Sequence, residues 1–361
     1  MSMRVVLSSP RKGWGGSATV ALSLAGGLEA RGHHPVIFCK PDSEIHKAVR
    51  DRFPCEPILY GVDFPPPAIV RCRRAFKRHG TRIVLSLLHM DLRLTAAAGR
   101  LSGLRVVARR AQLEPYSRLP HRRWLIDRLP HHWVANSEAN RRTMLATGTW
   151  LQPGDVTTIH NGIDPEPFKA AEPAALGLPE GSVAVGFVGR LVVEKGLQEL
   201  AAAWRRVAPD HPRLHLVIAG TGDYEATFRR LLGDAPRVHW LGFRTDVAAV
   251  MQAVDLVVMP SWEEPFGIVA LEAMAAGRPV LATRAGGLVE VVVDGETGRL
   301  FPPRDPEALA AALDELASDP VRCRQLGQAG MERVRERFSE KRMVDAYEEL
   351  LAAELERAGS R

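Results

Sequence analysis

Two glutamates eight positions apart, Glu264 and Glu272, stand in the stretch PSWEEPFGIVALEAMAAGRPVLATRAGG (260–287). Residues 266–276 read as a helix that is apolar on nearly every side, the pattern of a buried helix. An ionised carboxylate buried without a partner is costly, so the question is what these two acids hold. At about 100° per residue, eight positions leave the two offset by about 80°, along one side of the helix. That spacing suits one extended polar ligand better than one metal ion. A carboxylate accepts well from vicinal hydroxyls such as a ribose 2′,3′-diol. The amides around Phe266, Gly267 and Ile268 form the positive end of the helix, which suits sugar hydroxyls or a phosphate. Read structurally instead, Glu264 caps the helix and Glu272 pairs with a core arginine.

A second group lies upstream in GFVGRLVVEKG, where Arg190 and Lys195 follow a strand-like run beside glycines. Two cations next to exposed backbone N–H groups suit a diphosphate; the alternative is an ordinary charged surface turn. A third stretch, ATRAGGLVEVV, places a glycine pair after a strand and before a helix. It is either a phosphate cradle or a tight, closely packed turn.

These residues need elements to position them, and the pattern along the chain is alternating strand and helix. In the first half, strands are expected at 4–8, 35–39, 83–87, 105–108, 133–136 and 156–160, with a helix at 18–31 after the loop RKGWGGSA. In the second half they are expected at 183–188, 214–219, 238–241, 256–259 and 279–282, with helices near 195–207, 223–232, 246–253 and 266–276. The expected fold class is α/β, with two Rossmann-like domains. Residues 1–168 form the first, 169–180 a linker rich in Pro, Ala and Glu, 181–338 the second, and 339–361 an amphipathic terminal helix. In open α/β sheets ligands bind beyond the carboxyl ends of the strands, where all three stretches stand.

The totals bound the function. The chain has 361 residues, 46% of them apolar, enough to bury two cores. No run resembles a membrane span of about 20 apolar residues, and no signal peptide is expected at the start. Cys39, Cys55, Cys72 and Cys323 lack metal-ligand spacing and read as free thiols of a reducing cytoplasm. Of 48 basic and 42 acidic side chains, 26 and 15 fall in residues 1–180, leaving 22 and 27 for the rest. The basic first half favours an anionic partner.

Taken in order, GRLVVEKG and SWEEPFGIVALEAMAAGRPVLATRAGGLVEVVVDGETGRLF resemble the donor half of the retaining glycosyltransferases of family 4, and Glu264 and Glu272 fit that family's E-x7-E motif. The GWGG loop, VANSEANRR and IHNGIDPEPF extend the resemblance over nearly the whole chain. It implies the GT-B architecture: two Rossmann-like domains facing a central cleft, with the C-terminal helix crossing back to the first domain. It also implies roles for matching positions. Arg190 and Lys195 bind the nucleotide diphosphate and stabilise the departing phosphate, Glu272 holds the ribose, and Glu264 approaches the transferred sugar. Phe266, Gly267 and Ile268 contribute backbone contacts. Gly242, Phe243 and Arg244 stand where the base edge is read. Gly16 closes over the diphosphate, and Gly15 is a candidate for the acceptor or cleft side. The mechanism implied is front-face departure of the leaving phosphate, which needs no metal and no cofactor beyond the nucleotide-sugar donor, with UDP favoured. The sequence holds neither a metal-ligand cluster nor an obvious double-displacement nucleophile.

One departure concerns the first domain. Where many family members carry a His after the 105–108 strand, this chain reads VVARRAQLEP, with Arg109 and Arg110. Arginine is no general base near neutral pH, though it binds phosphate or carboxylate well. His89, also after a strand, is a further candidate for the acceptor side. Two basic segments, with Arg71, Arg73, Arg74 and Lys77 beside Phe76, and with Arg122, Arg123 and Trp124 before Trp133, suit an anionic leaflet. The bland reading is solvated helix faces. The resemblance points to cell-envelope glycan or glycolipid assembly, lipopolysaccharide among them, by a cytoplasmic enzyme peripheral to the inner face of the plasma membrane. Nucleic acid is not expected as a partner, because no recognised motif accompanies the charge. The competing readings are a nucleotide-sugar epimerase on the same scaffold and a catalytically silent nucleotide- or glycan-binding subunit.

Overall fold

The computed structural model describes residues 2–359 except Trp14, 60–65 and 114–127, and omits the side chains of residues 66 and 89–91. The chain divides into two compact units, Met1–Gly162 with Glu340–Arg361, and Ile163–Ser339.

The first unit holds seven parallel strands: β1 (Arg4–Ser9), β2 (His34–Cys39), β3 (Cys55–Glu56), β4 (Ile83–Ser86), β5 (Arg105–Arg110), β6 (His132–Ala135) and β7 (Val156–Thr158). Their order is β3-β2-β1-β4-β5-β6-β7. Runs such as VVLSS in β1 are buried along their length, as strands covered by helices on both faces must be. The terminal helix Glu340–Gly359 packs on this unit against the helix Gly16–Glu29 and against β5. Its Val344, Tyr347 and Leu351 are buried. Polar contacts fix its register: Asp345 pairs with Arg31, Glu348 Oε1 bonds His33 Nε2 at 2.8 Å, and the fully buried Glu354 pairs with Arg105.

The second unit holds six parallel strands: β8 (Val183–Val188), β9 (Leu214–Ala219), β10 (Val238–Gly242), β11 (Leu256–Met259), β12 (Val280–Thr283) and β13 (Gly298–Phe301). Their order is β10-β9-β8-β11-β12-β13. Strand order reverses between β8 and β11, so the loops after these two strands flank the switch point. One face of the sheet is covered by the helices Leu197–Val207 and Pro306–Ser318, with Trp204 and Phe228 buried in that layer. The other face carries the helix Ile268–Ala275 with Phe266, Met251 and Val334 around it.

The stretch 169–180 differs from the free linker expected of it. Phe168, Leu176 and Leu178 pack against the core layer containing Met251 and Val254, and the Ala174 amide donates to the Ala249 carbonyl at 2.9 Å. These apolar side chains lay the stretch on the second unit, and the division between units falls at Gly162/Ile163. Residues 163–168, assigned to the first domain from sequence, pack with the second.

Candidate active site

The loop after β8 ends in a short helical turn, Val193–Lys195, and stops at Gly196 in the left-handed region (φ 66°). A Cβ at Gly196 would fall 1.9 Å from the Pro260 carbonyl oxygen, so the loops after β8 and β11 meet with no spare room. The Trp262 amide then donates to the Glu194 carbonyl at 3.0 Å. This join brings Lys195 against Glu264 as a half-buried ion pair between Nζ and Oε2. Ser261 Oγ lies 3.4 Å from the same carboxylate oxygen. The loop is pinned from below as well: Thr283 Oγ1 donates to the Ser261 carbonyl at 2.5 Å, and the Gly287 amide to the Glu264 carbonyl at 2.8 Å. A Cβ on Gly287 would lie 2.6 Å from Phe266 Cα, so the second glycine of ATRAGG serves close packing. Arg190, at the strand end, is exposed, and its guanidinium has no hydrogen-bond or ion-pair partner among the described residues.

Glu272 sits on the helix Ile268–Ala275, whose Ala270, Leu271, Ala273, Met274 and Ala275 are buried. Neither structural alternative raised by the sequence occurs. No side chain caps this helix, because Glu264 turns to Lys195. The Glu272 carboxylate has no partner among the described residues, and Arg278 donates instead to the Met251 carbonyl at 3.2 Å and the Gln252 carbonyl at 2.9 Å. Burial pushes the Glu272 carboxyl up to about 7. An apolar surround disfavours the charged form and nothing here offsets it.

Phe266, just before this helix, is buried edge-to-face on Phe338 with centroids 5.9 Å apart. Gly267 opens the helix with φ 104°, followed by the half-buried Ile268. At the end of β10 the Gly242 carbonyl accepts from the Gly220 amide at 2.7 Å, and Phe243 is 66% exposed, rare for an aromatic side chain. Arg244 is held by Asp246, with Nε to Oδ1 at 2.8 Å.

The first unit places its candidates differently. Gly15 and Gly16 stand at the start of the helix that follows β1, with the Ala18 amide bonded to the Gly15 carbonyl at 2.8 Å. Arg109 and Arg110 end β5 and are buried, at 3% and 5% exposure. Arg109 Nη2 donates to Asn161 Oδ1 at 2.7 Å, and the Arg110 carbonyl accepts from Asn140 Nδ2 at 2.6 Å. His89 opens the helix His89–Leu101, but its side chain lies outside the described residues. Arg71, Arg73, Arg74 and Lys77 line the exposed side of the helix Pro66–His79. Phe76 does not join them: it is buried, stacked on Phe38 at 5.3 Å. Trp133 is likewise buried, in β6, so neither is an apolar anchor at the surface. Arg122, Arg123 and Trp124 lie outside the described residues. Sequence reasoning also passed over Glu199 and Trp262, which are bonded to each other beside the Lys195–Glu264 pair.

Comparison with known proteins bears on both units. Residues 14–167 match the family model described as Glycosyltransferase Family 4, and residues 168–333 the one described as Glycosyl transferases group 1. The chain is similar to the glycogen synthase of Mycobacterium tuberculosis, 36% identical over 191 residues, which take in 51% of this chain and 45% of that protein. It is similar to the alpha-maltose-1-phosphate synthase of Mycolicibacterium smegmatis, 36% identical over 57% of this chain and 59% of that one. The match thus spans only about half the length of these curated relatives. In structure the chain resembles HepE of Anabaena, solved in complex with UDP and glucose, with a TM-score of 0.84 and 22% identity, covering 97% of this chain and 99% of that one. The chain shares the GT-B fold of this neighbour, and its two doubly wound parallel sheets are consistent with it.

Proposed function

From the premise that this chain is a GT-B glycosyltransferase made of a Glycosyltransferase Family 4 half and a Glycosyl transferases group 1 half, we propose that it moves a sugar, with retention, from a nucleotide-sugar donor to a hydroxyl of a cell-envelope glycan or lipid-linked saccharide. A UDP-sugar is the favoured donor. The carrying observation is Glu272, a carboxylate on an apolar helix with no partner among the described residues, on the helix that follows the loop of the Lys195–Glu264 pair, together with Arg190, which likewise has no partner among the described residues. These are the groups a bound nucleotide-sugar satisfies: a diol for Glu272 and a diphosphate for Arg190 and Lys195. The UDP and glucose held by HepE support this choice of donor class.

In this reading Arg190 and Lys195 hold the diphosphate and stabilise the charge that develops on it as the bond to the anomeric carbon breaks, a preorganised electrostatic role. The acceptor oxygen attacks the same face that the phosphate leaves, and its proton passes to the departing phosphate oxygen. No metal ion is required of this scheme, because the two cations supply the positive charge. Glu264, held by Lys195, meets the hydroxyls of the sugar. The exposed Phe243 offers a face to the base, with Gly242 and Arg244 beside it. Gly15, Gly16 and His89 are assigned to the first-domain side of the reaction, and the buried Arg109 and Arg110 to holding the end of β5. The exposed basic face of the helix Pro66–His79 supports residence on an anionic cytoplasmic membrane surface by charge alone. Among the described residues no helix is long and apolar enough to cross a membrane.

The test supplies UDP-glucose, UDP-galactose or UDP-N-acetylglucosamine with extracted envelope lipids and follows UDP release and the product's anomeric configuration by NMR. The expected result is UDP release that depends on acceptor, with the donor's configuration kept. An inverted linkage rules out the retaining scheme. Interconversion of sugars without UDP release favours epimerisation.

A further inference from the structure

We propose that Glu199, Trp262 and Arg304 form a positioning clamp that sets the Lys195–Glu264 pair for the donor; the inference rests on reading that pair as part of a donor site. Glu199 lies in the first turn of the helix Leu197–Val207 and is 6% exposed. Its Oε1 accepts from Trp262 Nε1 at 3.0 Å and from Gln198 Nε2 at 3.1 Å. Its Oε2 is buried with no hydrogen-bond partner, and no cation pairs with the side chain among the described residues. A buried carboxylate with one oxygen unfilled is an expensive way to pack a helix, and a leucine there would be cheaper. What this one gains is a fixed indole.

Trp262 is gripped at both ends by the same arc of chain. Its amide donates to the Glu194 carbonyl and its indole to Glu199, and Lys195 and Gly196 lie between those two residues. Two positions past Trp262 comes Glu264. Because Gly196 has no clearance from the Pro260 carbonyl, a shift of the indole is transmitted to Lys195 rather than absorbed. Arg304, from the loop after β13, closes the arrangement with its guanidinium 4.3 Å from the centre of the Trp262 ring. It holds φ at 60°, in the left-handed region that a non-glycine residue rarely adopts, in the exposed turn that leads into the helix Pro306–Ser318. Three strand ends, those of β8, β11 and β13, therefore converge on one indole.

The test compares wild type with Glu199→Leu, Glu199→Gln and Trp262→Phe. Calorimetry gives the Kd for UDP, and amide hydrogen exchange over 189–196 and 260–267 is followed without ligand. Glu199→Leu and Trp262→Phe are expected to speed exchange in both loops and raise the Kd about tenfold, the scale of one hydrogen bond. Glu199→Gln keeps an acceptor for the indole and is expected within about twofold of wild type. Unchanged exchange in Glu199→Leu and Trp262→Phe overturns the clamp. So does faster exchange with an unchanged Kd, or an equal loss in the Leu and Gln variants, which would tie the effect to charge and not to the indole bond. If wild type binds no UDP, the donor reading fails and the exchange data alone judge the clamp.

Discussion

Both units end their sheets in charged residues, but the charges are disposed in opposite ways. In the second unit, Arg190 and Glu272 have no partners among the described residues, and Lys195 pairs with Glu264, which also accepts from Ser261 Oγ. In the first unit, Arg109 is buried against Asn161, and the end of β5 is tied through the Arg110 carbonyl to Asn140, which also bonds Asn136 at 2.8 Å. One site leaves Arg190 and Glu272 without partners among the described residues; the other ties its arginines to Asn161 and Asn140. Residue type alone does not separate them, since an arginine after a strand is present in each. What separates them is burial: Arg109 and Arg110 are enclosed at the end of β5, whereas Arg190 is exposed.

The largest expected effect is on turnover. Lys195→Ala should lower kcat by about a hundredfold or more, the scale of one lost charge stabiliser, and equal rates would place the leaving-group charge elsewhere. Next comes Glu272. Its pKa is raised to about 7, so binding that uses the ionised form should weaken as pH falls through about 7. Titration with UDP-glucose should show that slope in wild type and lose it in Glu272→Gln. The sign for stability is opposite. The folded state holds a proton the unfolded chain has released, so stability falls as pH rises from the ordinary carboxylate range to about 7, and denaturant melts of Glu272→Gln should lack this fall. A slope shared by both proteins would mean that another group is responsible.

Arg109→Ala sharpens the contrast from the other side. Loss of its buried bond to Asn161 should reduce stability by about 1–3 kcal/mol in urea melts, while UDP affinity stays within about twofold. A well-folded variant that loses only acceptor turnover would move Arg109 into the working site. The smallest effect belongs to the surface. Replacing Arg71, Arg73 and Arg74 with serine should weaken sedimentation with anionic vesicles by about 1 kcal/mol per charge at low salt. No change would leave that face as ordinary solvated helix.

Much of this was legible in the sequence because parallel strands and strand-end loops leave strong marks. The run VAVGFVGR predicts both β8 and the placement of Arg190, and β8 is observed at Val183–Val188. The acid inside the apolar helix stands out in the sequence, and Glu272 has no partner among the described residues. Other features left weaker marks. Phe76 lies among five basic neighbours and reads as an interfacial aromatic, yet the helical period turns it inward onto Phe38. The stretch 169–180 has linker composition, but Leu176 and Leu178 suffice to lay it on the second unit. β3 has only two residues, Cys55–Glu56, too few for any periodicity. The Glu199–Trp262 bond joins positions 63 apart, and nothing local to either announces the other.

The most direct test of the central claim is thermal unfolding with UDP, GDP, ADP, dTDP and their common sugar conjugates, for wild type, Arg190→Ala and Glu272→Ala. A ligand at about a hundred times its Kd stabilises the folded state by about 2.7 kcal/mol, a readily measured rise in Tm. A rise with UDP and UDP-sugars in wild type, lost in both variants while their unliganded Tm stays near wild type, is the predicted result. A UDP-dependent rise that survives in Glu272→Ala, or an unliganded Glu272→Ala that unfolds early, would contradict it and make that carboxylate a structural group.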